Sequence, residues 1–155
     1  MEIEDDLISL KLPDATQEES IIKVIGVGGG GSNAVNHMFR QGIHGVEFVV
    51  CNTDIQALRQ SRVKNRIQLG KELTEGRGAG CQPERGRLSA IESMDFIKTI
   101  LEHNTRMVFI TAGMGGGTGT GAAPEIARQA KELGILTIGI VTVPFRSEER
   151  RVGKE

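Results

Sequence analysis

The length of 155 residues suits one domain, and a domain near this size buries roughly 70% of its unfolded surface, so a core without metal or disulfide staples is feasible. The formal net charge is -1, from 19 basic and 20 acidic residues without a basic face, which excludes the electrostatic signature of a nucleic-acid-binding protein. No apolar run approaches the ~20 residues that span a bilayer and no signal peptide is recognisable, so we expect a cytoplasmic protein without direct membrane insertion.

Three segments of the chain differ in character. Residues 1–20 carry seven acids and one lysine without a sustained period, which predicts a disordered acidic leader. Residues 21–146 carry regular apolar patterns and form the predicted domain. Residues 147–155 are a charged end. Glycine is the unusual component, with 21 residues.

Short apolar runs alternate with amphipathic segments from residue 21 onward. Strands are predicted at residues 21–27, 46–51, 66–69, 106–111 and 135–143. Helices are predicted at residues 32–40, 54–60, 83–101 and 121–133, and the third has a core-facing stripe of Leu88, Ile91, Met94, Ile97 and Leu101. Apolar strands that alternate with helices indicate an α/β fold with a parallel sheet covered on both faces. Right-handed crossovers favour an open, doubly wound, Rossmann-like sheet with strand order 3-2-1-4-5.

Two glycine runs follow the first and fourth predicted strands. The first glycine loop, residues 26–33, and the second, residues 113–121, each leave the carboxyl end of a strand and enter a helix. In the predicted order these strands are neighbours, so both loops lie at the switch point where open α/β sheets bind ligands. Glycine lets backbone amides approach an anion, and hydrogen bonds to a charged partner contribute about 1.5–3 kcal/mol each. The two loops therefore predict a polyphosphate site without a lysine, with extra hydroxyls from Thr118 and Thr120.

The residues around these loops also bear on other classes of protein. A Walker-type P-loop is excluded because neither run contains a lysine and Gly70-Lys71 continues into Glu72. An NAD(P)-dependent oxidoreductase stays open, since Asp54 ends the second strand, although it lies later than the usual ~20 residues and such an enzyme has no use for the second loop. A fold that binds nothing is the third alternative. A third loop, residues 76–82, also joins a strand to a helix, which suits a triphosphate better than a dinucleotide.

The chain resembles the FtsZ family of tubulin-like GTPases in four segments. They are residues 28–34, 52–54, 78–80 and 112–124, and the last includes the tubulin-superfamily signature Gly-Gly-Gly-Thr-Gly-Thr-Gly. The resemblance covers about residues 21–146. It implies a protein that binds GTP and GDP with Mg²⁺, hydrolyses GTP and polymerises head to tail into protofilaments of the mid-cell division ring, with division proteins at the membrane as partners.

The resemblance also implies the residues of the site. In the glycine loops they are Gly28, Gly29, Gly30, Gly31, Ser32, Asn33, Gly115, Gly116, Gly117, Thr118, Gly119 and Thr120, of which residues 29–33 and 116–120 would hold the α- and β-phosphates. Ala79 and Gly80 would sense the γ-phosphate. Asn52 and Asp54 would lie near the phosphates and Mg²⁺, although no ligand cluster in the sequence identifies the metal. Glu148 matches the acid that binds the ribose.

The end of the chain departs from the family pattern. Val152 stands where an arginine is expected, Glu149 replaces a glycine and Ser147 replaces an aromatic residue. Residues 147–155 are therefore either foreign to the family or variation in a solvated loop. In the family, the central helix that contacts guanine and the acidic loop that positions the attacking water lie beyond this point. We thus expect no catalytic residue in this chain, and expect GTP hydrolysis by the full-length protein but not by the chain alone.

Overall fold

The computed structural model describes residues 20–143. Within this range five strands form one sheet: β1 Ile22–Val27, β2 Glu47–Asn52, β3 Asn65–Gln68, β4 Met107–Gly113 and β5 Leu136–Thr142. Six helices accompany them in the same part of the chain: α1 Gly28–Arg40, α2 Ile55–Gln60, α3 Lys71–Thr74, α4 Pro83–Glu92, α5 Met94–Glu102 and α6 Thr118–Glu132. Residues 1–19 of the leader predicted at 1–20 lie outside the described residues, as do the charged end at 147–155 and with it Glu148.

The sheet is parallel and has the order β3-β2-β1-β4-β5, which confirms the predicted doubly wound α/β fold. β1 is the central strand, and its last residue, Val27, is in register with Cys51 of β2 and Ala112 of β4. From β1 the chain continues to β2 and β3 on one side of the central strand, and from β4 it continues to β5 on the other side. The carboxyl ends of β1 and β4 therefore lie side by side, where the order of the strands reverses.

Two apolar clusters cover the two faces of this sheet. Val24 of β1 packs into a smaller cluster with Val35 of α1 and Leu58 of α2. Its neighbour Ile25 points to the opposite face and joins a larger cluster that includes Ile126 of α6. Alternate residues of a strand point to opposite faces, and complete burial of each such side chain contributes about 1.5–3 kcal/mol. The central strands are thus fixed from both sides, and their carboxyl ends form a rigid base for the loops.

Strand β5 differs from the prediction that all strands are covered on both faces. Leu136 is 61% exposed and Ile140 is 56% exposed. Within residues 20–143, β5 pairs only with β4 and is the edge of the sheet. Apolar composition predicted the strand correctly but did not predict its burial.

The predicted helix over residues 83–101 is wrong in two ways. It is divided at Ser93 into α4 and α5, and Ser93 Oγ accepts the amide of Gly70 at 3.1 Å. Leu88 and Ile91, expected in the core, are 41% and 45% exposed. The buried face of α4 carries small residues instead, Gly86, Ser89 and Ala90. Small residues let the backbone of α4 approach α6 closely, which places the larger side chains of α4 outside.

Candidate functional site

The first and second glycine loops are in backbone contact at the carboxyl edge of the sheet. A Cβ atom added to Gly28 would lie 2.9 Å from the amide nitrogen of Gly119, and one added to Gly30 would lie 3.2 Å from Cα of Gly113. Gly28 also has a φ of +73°, which disfavours any other residue there. The two loops can adopt this arrangement only because glycine occupies the contact positions.

Each of these loops is the start of a helix whose amides lack a side-chain cap. α1 begins at Gly28 rather than at the predicted residue 32, and α6 begins at Thr118 rather than at residue 121. The capping positions, Val27 and Gly117, make no side-chain hydrogen bond to the first turn. Amides in the first turn of a helix have no partner within the helix and carry its positive dipole end. Two helix ends therefore present unshielded donors to one crevice, which suits an anion.

The glycines of the two loops differ in the space around them. Apart from its chain neighbours and its own helix, a Cβ atom at Gly29 or at Gly116 would meet nothing within 4 Å, and neither residue has a left-handed φ. Gly80 of the third loop is equally open, with a φ of +60°. These positions leave room above the backbone for a ligand, so the structure fits a polyphosphate on the predicted loops.

Threonine hydroxyls set the conformation of the second loop. The amide of Gly115, which has a φ of +108°, donates to Thr120 Oγ1 at 2.9 Å. The amide of Met114 donates to Thr142 Oγ1 at 3.3 Å. Thr120 accepts in this bond, so its own proton stays available for another acceptor. The amides of Met114 and Gly115 are thus bonded within the protein, and these bonds fix the backbone of the loop before residue 116.

The third loop packs against the second. A Cβ atom on Gly117 would lie 2.8 Å from Cβ of Ala79, which is buried, whereas Gly80 is exposed. The amide of Gly78 donates to the carbonyl oxygen of Thr53 at 3.3 Å. The structure therefore brings the three predicted loops together at one edge of the sheet.

Asn52 and Asp54 lie at the end of β2 and have structural roles there. Asn52 is buried, and its Oδ1 accepts the amides of Thr53 at 2.8 Å and Asp54 at 3.2 Å. Asp54 Oδ1 caps α2 by accepting from Gln56 at 2.9 Å and from Ala57 at 3.2 Å. These contacts leave the second carboxylate oxygen of Asp54 as the group that remains for a ligand.

Ser32 and Asn33 lie in the first turns of α1 and differ in exposure. Asn33 is exposed, whereas Ser32 is buried and its Oγ has no hydrogen-bond partner among residues 20–143. Two residues that the sequence interpretation did not select, Thr53 and Thr142, make direct contacts with the predicted loops. Only the position of Thr53 between Asn52 and Asp54 signalled its importance. Nothing in the sequence signalled Thr142.

The titratable groups near the sheet's carboxyl edge add little chemistry. Complete burial raises the pKa of the Cys51 thiol to about 12, so it is an inert core residue. Within residues 20–143, no cluster of three or more His, Cys, Asp or Glu side chains is arranged to hold a metal ion. Over the same range no helix is long and apolar enough to cross a membrane.

An open parallel sheet with paired glycine-rich helix ends, and without a P-loop lysine, defines a class of nucleotide-binding proteins distinct from P-loop NTPases. Residues 21–155 match the family model described as "Tubulin/FtsZ family, GTPase domain". The chain belongs to the tubulin/FtsZ family.

Individual relatives agree with this assignment. A cell division protein FtsZ from Aquifex aeolicus is 60% identical over 130 residues, which covers 84% of this chain and 35% of the relative. The solved structure "FtsZ dimer, empty" from M. jannaschii has a TM-score of 0.80 and 44% identity, over 86% of this chain and 38% of that one. A GDP-bound CetZ1 monomer from Haloferax volcanii has a TM-score of 0.71 and 26% identity, over 82% and 42%. The chain thus spans about a third of the length of the curated relatives it matches.

Proposed function

We propose that the chain is the guanine-nucleotide-binding part of a GTPase that assembles head to tail into protofilaments of the bacterial division ring. The observation that carries this proposal is the contact between two glycine-rich helix starts, α1 and α6, whose first-turn amides have no side-chain cap. Family membership supplies the guanine nucleotide and the link to cell division.

The phosphates occupy the crevice between the two helix starts. Residues 29–33 and 116–120 hold the α- and β-phosphates through backbone amides, with added donors from Thr118 and Thr120. Each charge-assisted hydrogen bond contributes about 1.5–3 kcal/mol, so four or five contribute about 6–15 kcal/mol, a range that includes the ~8 kcal/mol of a micromolar complex. Ala79 and Gly80 contact the γ-phosphate, because the third loop lies against Gly117.

Mg²⁺ accompanies the nucleotide in this proposal. Mg²⁺ in nucleotide sites is bound largely by phosphate oxygens and water, with one or two carboxylates, so a dedicated protein cage is not required. Asp54, with one oxygen outside the α2 cap, is the nearby candidate for the metal, and Asn52, whose Oδ1 already accepts two amides, is proposed to lie near the phosphates. Glu148, which lies outside the described residues, is proposed to bind the ribose.

Hydrolysis and assembly belong to the whole protein in this proposal. Relatives more than twice as long are named cell division proteins, and one similar solved structure is titled a dimer. We assign no catalytic residue to this chain. The activity of the intact protein would then depend on groups supplied by a neighbouring subunit in a polymer. We place this polymer in the cytoplasm, at the mid-cell ring, and propose division proteins at the membrane as its partners.

The test is a titration of the 155-residue chain with GTP, GDP, ATP and NAD, with and without Mg²⁺. We expect GTP and GDP to bind and to compete with one another through their phosphates, and NAD to bind more weakly, while ATP measures how much of the selectivity for guanine this chain carries. A preference for NAD would contradict the proposal and support an oxidoreductase. Binding of none of the four would also contradict it and would support a fold that binds no nucleotide. A phosphate-release assay on the same sample should show no turnover above background. Turnover at the rate of an intact relative would refute the expectation that this chain lacks its catalytic groups.

A further inference from the structure

A pair of threonine hydroxyls joins the end of β2 to the start of α6. Thr53 Oγ1 lies 2.6 Å from Oγ1 of Thr118, the first residue of α6. Thr53 is completely buried, whereas Thr118 is partly exposed. The carbonyl oxygen of Thr53 accepts the amide of Gly78 in the third loop at 3.3 Å. Thr53 therefore contacts both the second and the third loop.

The direction of the hydrogen bond between the two hydroxyls follows from their burial. A hydroxyl has one proton to donate and can accept in two directions. If Thr118 donated, the proton of Thr53 would be left in the core, where Thr53 Oγ1 has no other hydrogen-bond partner among residues 20–143. A buried donor without an acceptor is costly, whereas the proton of the partly exposed Thr118 can reach a ligand or water. Thr53 is thus the donor and Thr118 the acceptor.

We propose that Thr53 is a positioning residue for the nucleotide site: by donating to Thr118, it makes the Thr118 hydroxyl a donor toward a phosphate oxygen. A phosphate accepts hydrogen bonds but donates none, so a hydroxyl that turns a lone pair toward it is repelled. The donation from Thr53 prevents this orientation of the Thr118 hydroxyl before the ligand binds. This inference rests on the proposed function and adds to it a buried residue that does not contact the ligand.

The same residue also couples two loops. Its side chain holds the start of α6, and its backbone carbonyl holds Gly78, next to the residues proposed to contact the γ-phosphate. A change at Thr53 is therefore expected to affect the diphosphate and triphosphate complexes together, because it alters a donor that both nucleotides share.

The experiment measures the affinity of the 155-residue chain for GDP by calorimetry. Thr53→Val keeps the shape and removes the hydroxyl, and we expect a loss of affinity of about three- to tenfold. Thr53→Ser keeps the hydroxyl and should restore wild-type binding. In a Thr118→Val background, Thr53→Val should cause no further loss, because its effect passes through Thr118. A merely structural role would lower the stability of the single variants and leave the GDP affinity of the folded chain unchanged.

The matched control is Ser61→Ala. Ser61 is also buried, and its hydroxyl donates to Asn36 Oδ1 at the same distance of 2.6 Å, but at the far end of α2. We expect this variant to bind GDP as the wild type does. Circular dichroism and thermal unfolding check that each variant is folded, and Thr53→Ala carries the same test if Thr53→Val is not.

The outcomes separate this inference from the proposed function. If the wild type binds GDP and Thr53→Val binds equally well, the inference is wrong while the proposed function stands. Independent losses from Thr53→Val and Thr118→Val would also overturn it, since Thr53 would then not act through Thr118. If the wild type binds no guanine nucleotide, both fail.

Discussion

Alanine at the two open glycines, Gly29 and Gly116, should block the nucleotide without harming the fold. Beyond its own stretch of chain, neither added Cβ atom meets anything within 4 Å, and neither glycine has the left-handed φ that disfavours alanine. Gly29 lies in the first turn of α1, where alanine stabilises a helix by up to about 1 kcal/mol relative to glycine. The free energy of unfolding should therefore stay unchanged or rise slightly in both variants.

Binding should respond in the opposite direction. A methyl group in the space proposed for a phosphate adds an overpacking cost of about 1–3 kcal/mol and displaces at least one charge-assisted hydrogen bond of about 1.5–3 kcal/mol. With partial relaxation of the ligand, we expect the binding free energy to fall by about 2–4 kcal/mol, which raises the dissociation constant roughly thirty- to thousandfold. Such a loss in a variant of undiminished stability would locate the phosphates on these two helix starts.

Calorimetric titration with GDP and thermal unfolding of the same samples provide the two measurements. Gly139→Ala is the matched control, because Gly139 of β5 also has open space around an added Cβ atom and no left-handed φ. It should leave both affinity and stability near the wild-type values. Wild-type affinity in Gly29→Ala and Gly116→Ala would refute the placement of the phosphates. Unfolding of either variant would refute the claim that the space is open.

Three further predictions concern packing, loop order and thiol reactivity. Gly121→Ala should lower the free energy of unfolding by about 1–3 kcal/mol in urea titrations, because its Cβ atom would overlap the backbone of α4, and an unchanged midpoint would contradict this. Thr142→Val should speed hydrogen exchange at the Met114 amide in the nucleotide-free chain and Thr142→Ser should not, whereas equal exchange in both variants would show that the hydroxyl does not hold the loop. At about pH 8 a maleimide should modify only the exposed Cys81 in the native chain, because burial raises the pKa of Cys51 to about 12, and mass spectrometry should find both thiols modified in denaturant. Equally fast labelling of the two native thiols would exclude this explanation.

The strand order could be predicted because it depends on features that a sequence displays. Apolar runs, intervening helices and the handedness of crossovers leave few topologies, and the predicted one is correct. The division of α4 from α5 depends instead on a hydrogen bond between Ser93 and Gly70, which lie far apart in the chain. The exposure of Leu88 depends on how closely α4 approaches α6. Contacts between distant segments decide both the break at Ser93 and the exposure of Leu88, and the periodicity of one helix does not predict such contacts.

The glycine loops were predictable as a pair, but the roles of individual glycines were not. Gly116 and Gly121 belong to the same run, yet the first has open space around its Cβ position and the second is in contact with α4. The sequence shows the same residue in both places. The interaction of Thr53 with Thr118 was hidden for a similar reason, because Thr53 follows β2 and Thr118 begins α6, and the two meet only when the sheet forms.

Asp54 shows how one acidic residue supports two opposed interpretations until its contacts are known. At the end of a second strand, an acid can bind the ribose of a dinucleotide, or it can cap the next helix. Here Asp54 Oδ1 accepts two amides of α2, so the first turn of α2 is already supplied with an anion. The starts of α1 and α6 have no such cap, and their dipole ends remain uncompensated by a side chain. We therefore expect a bound anion at the gap between β1 and β4, where the first and second glycine loops face each other, rather than at the start of α2 beyond the end of β2.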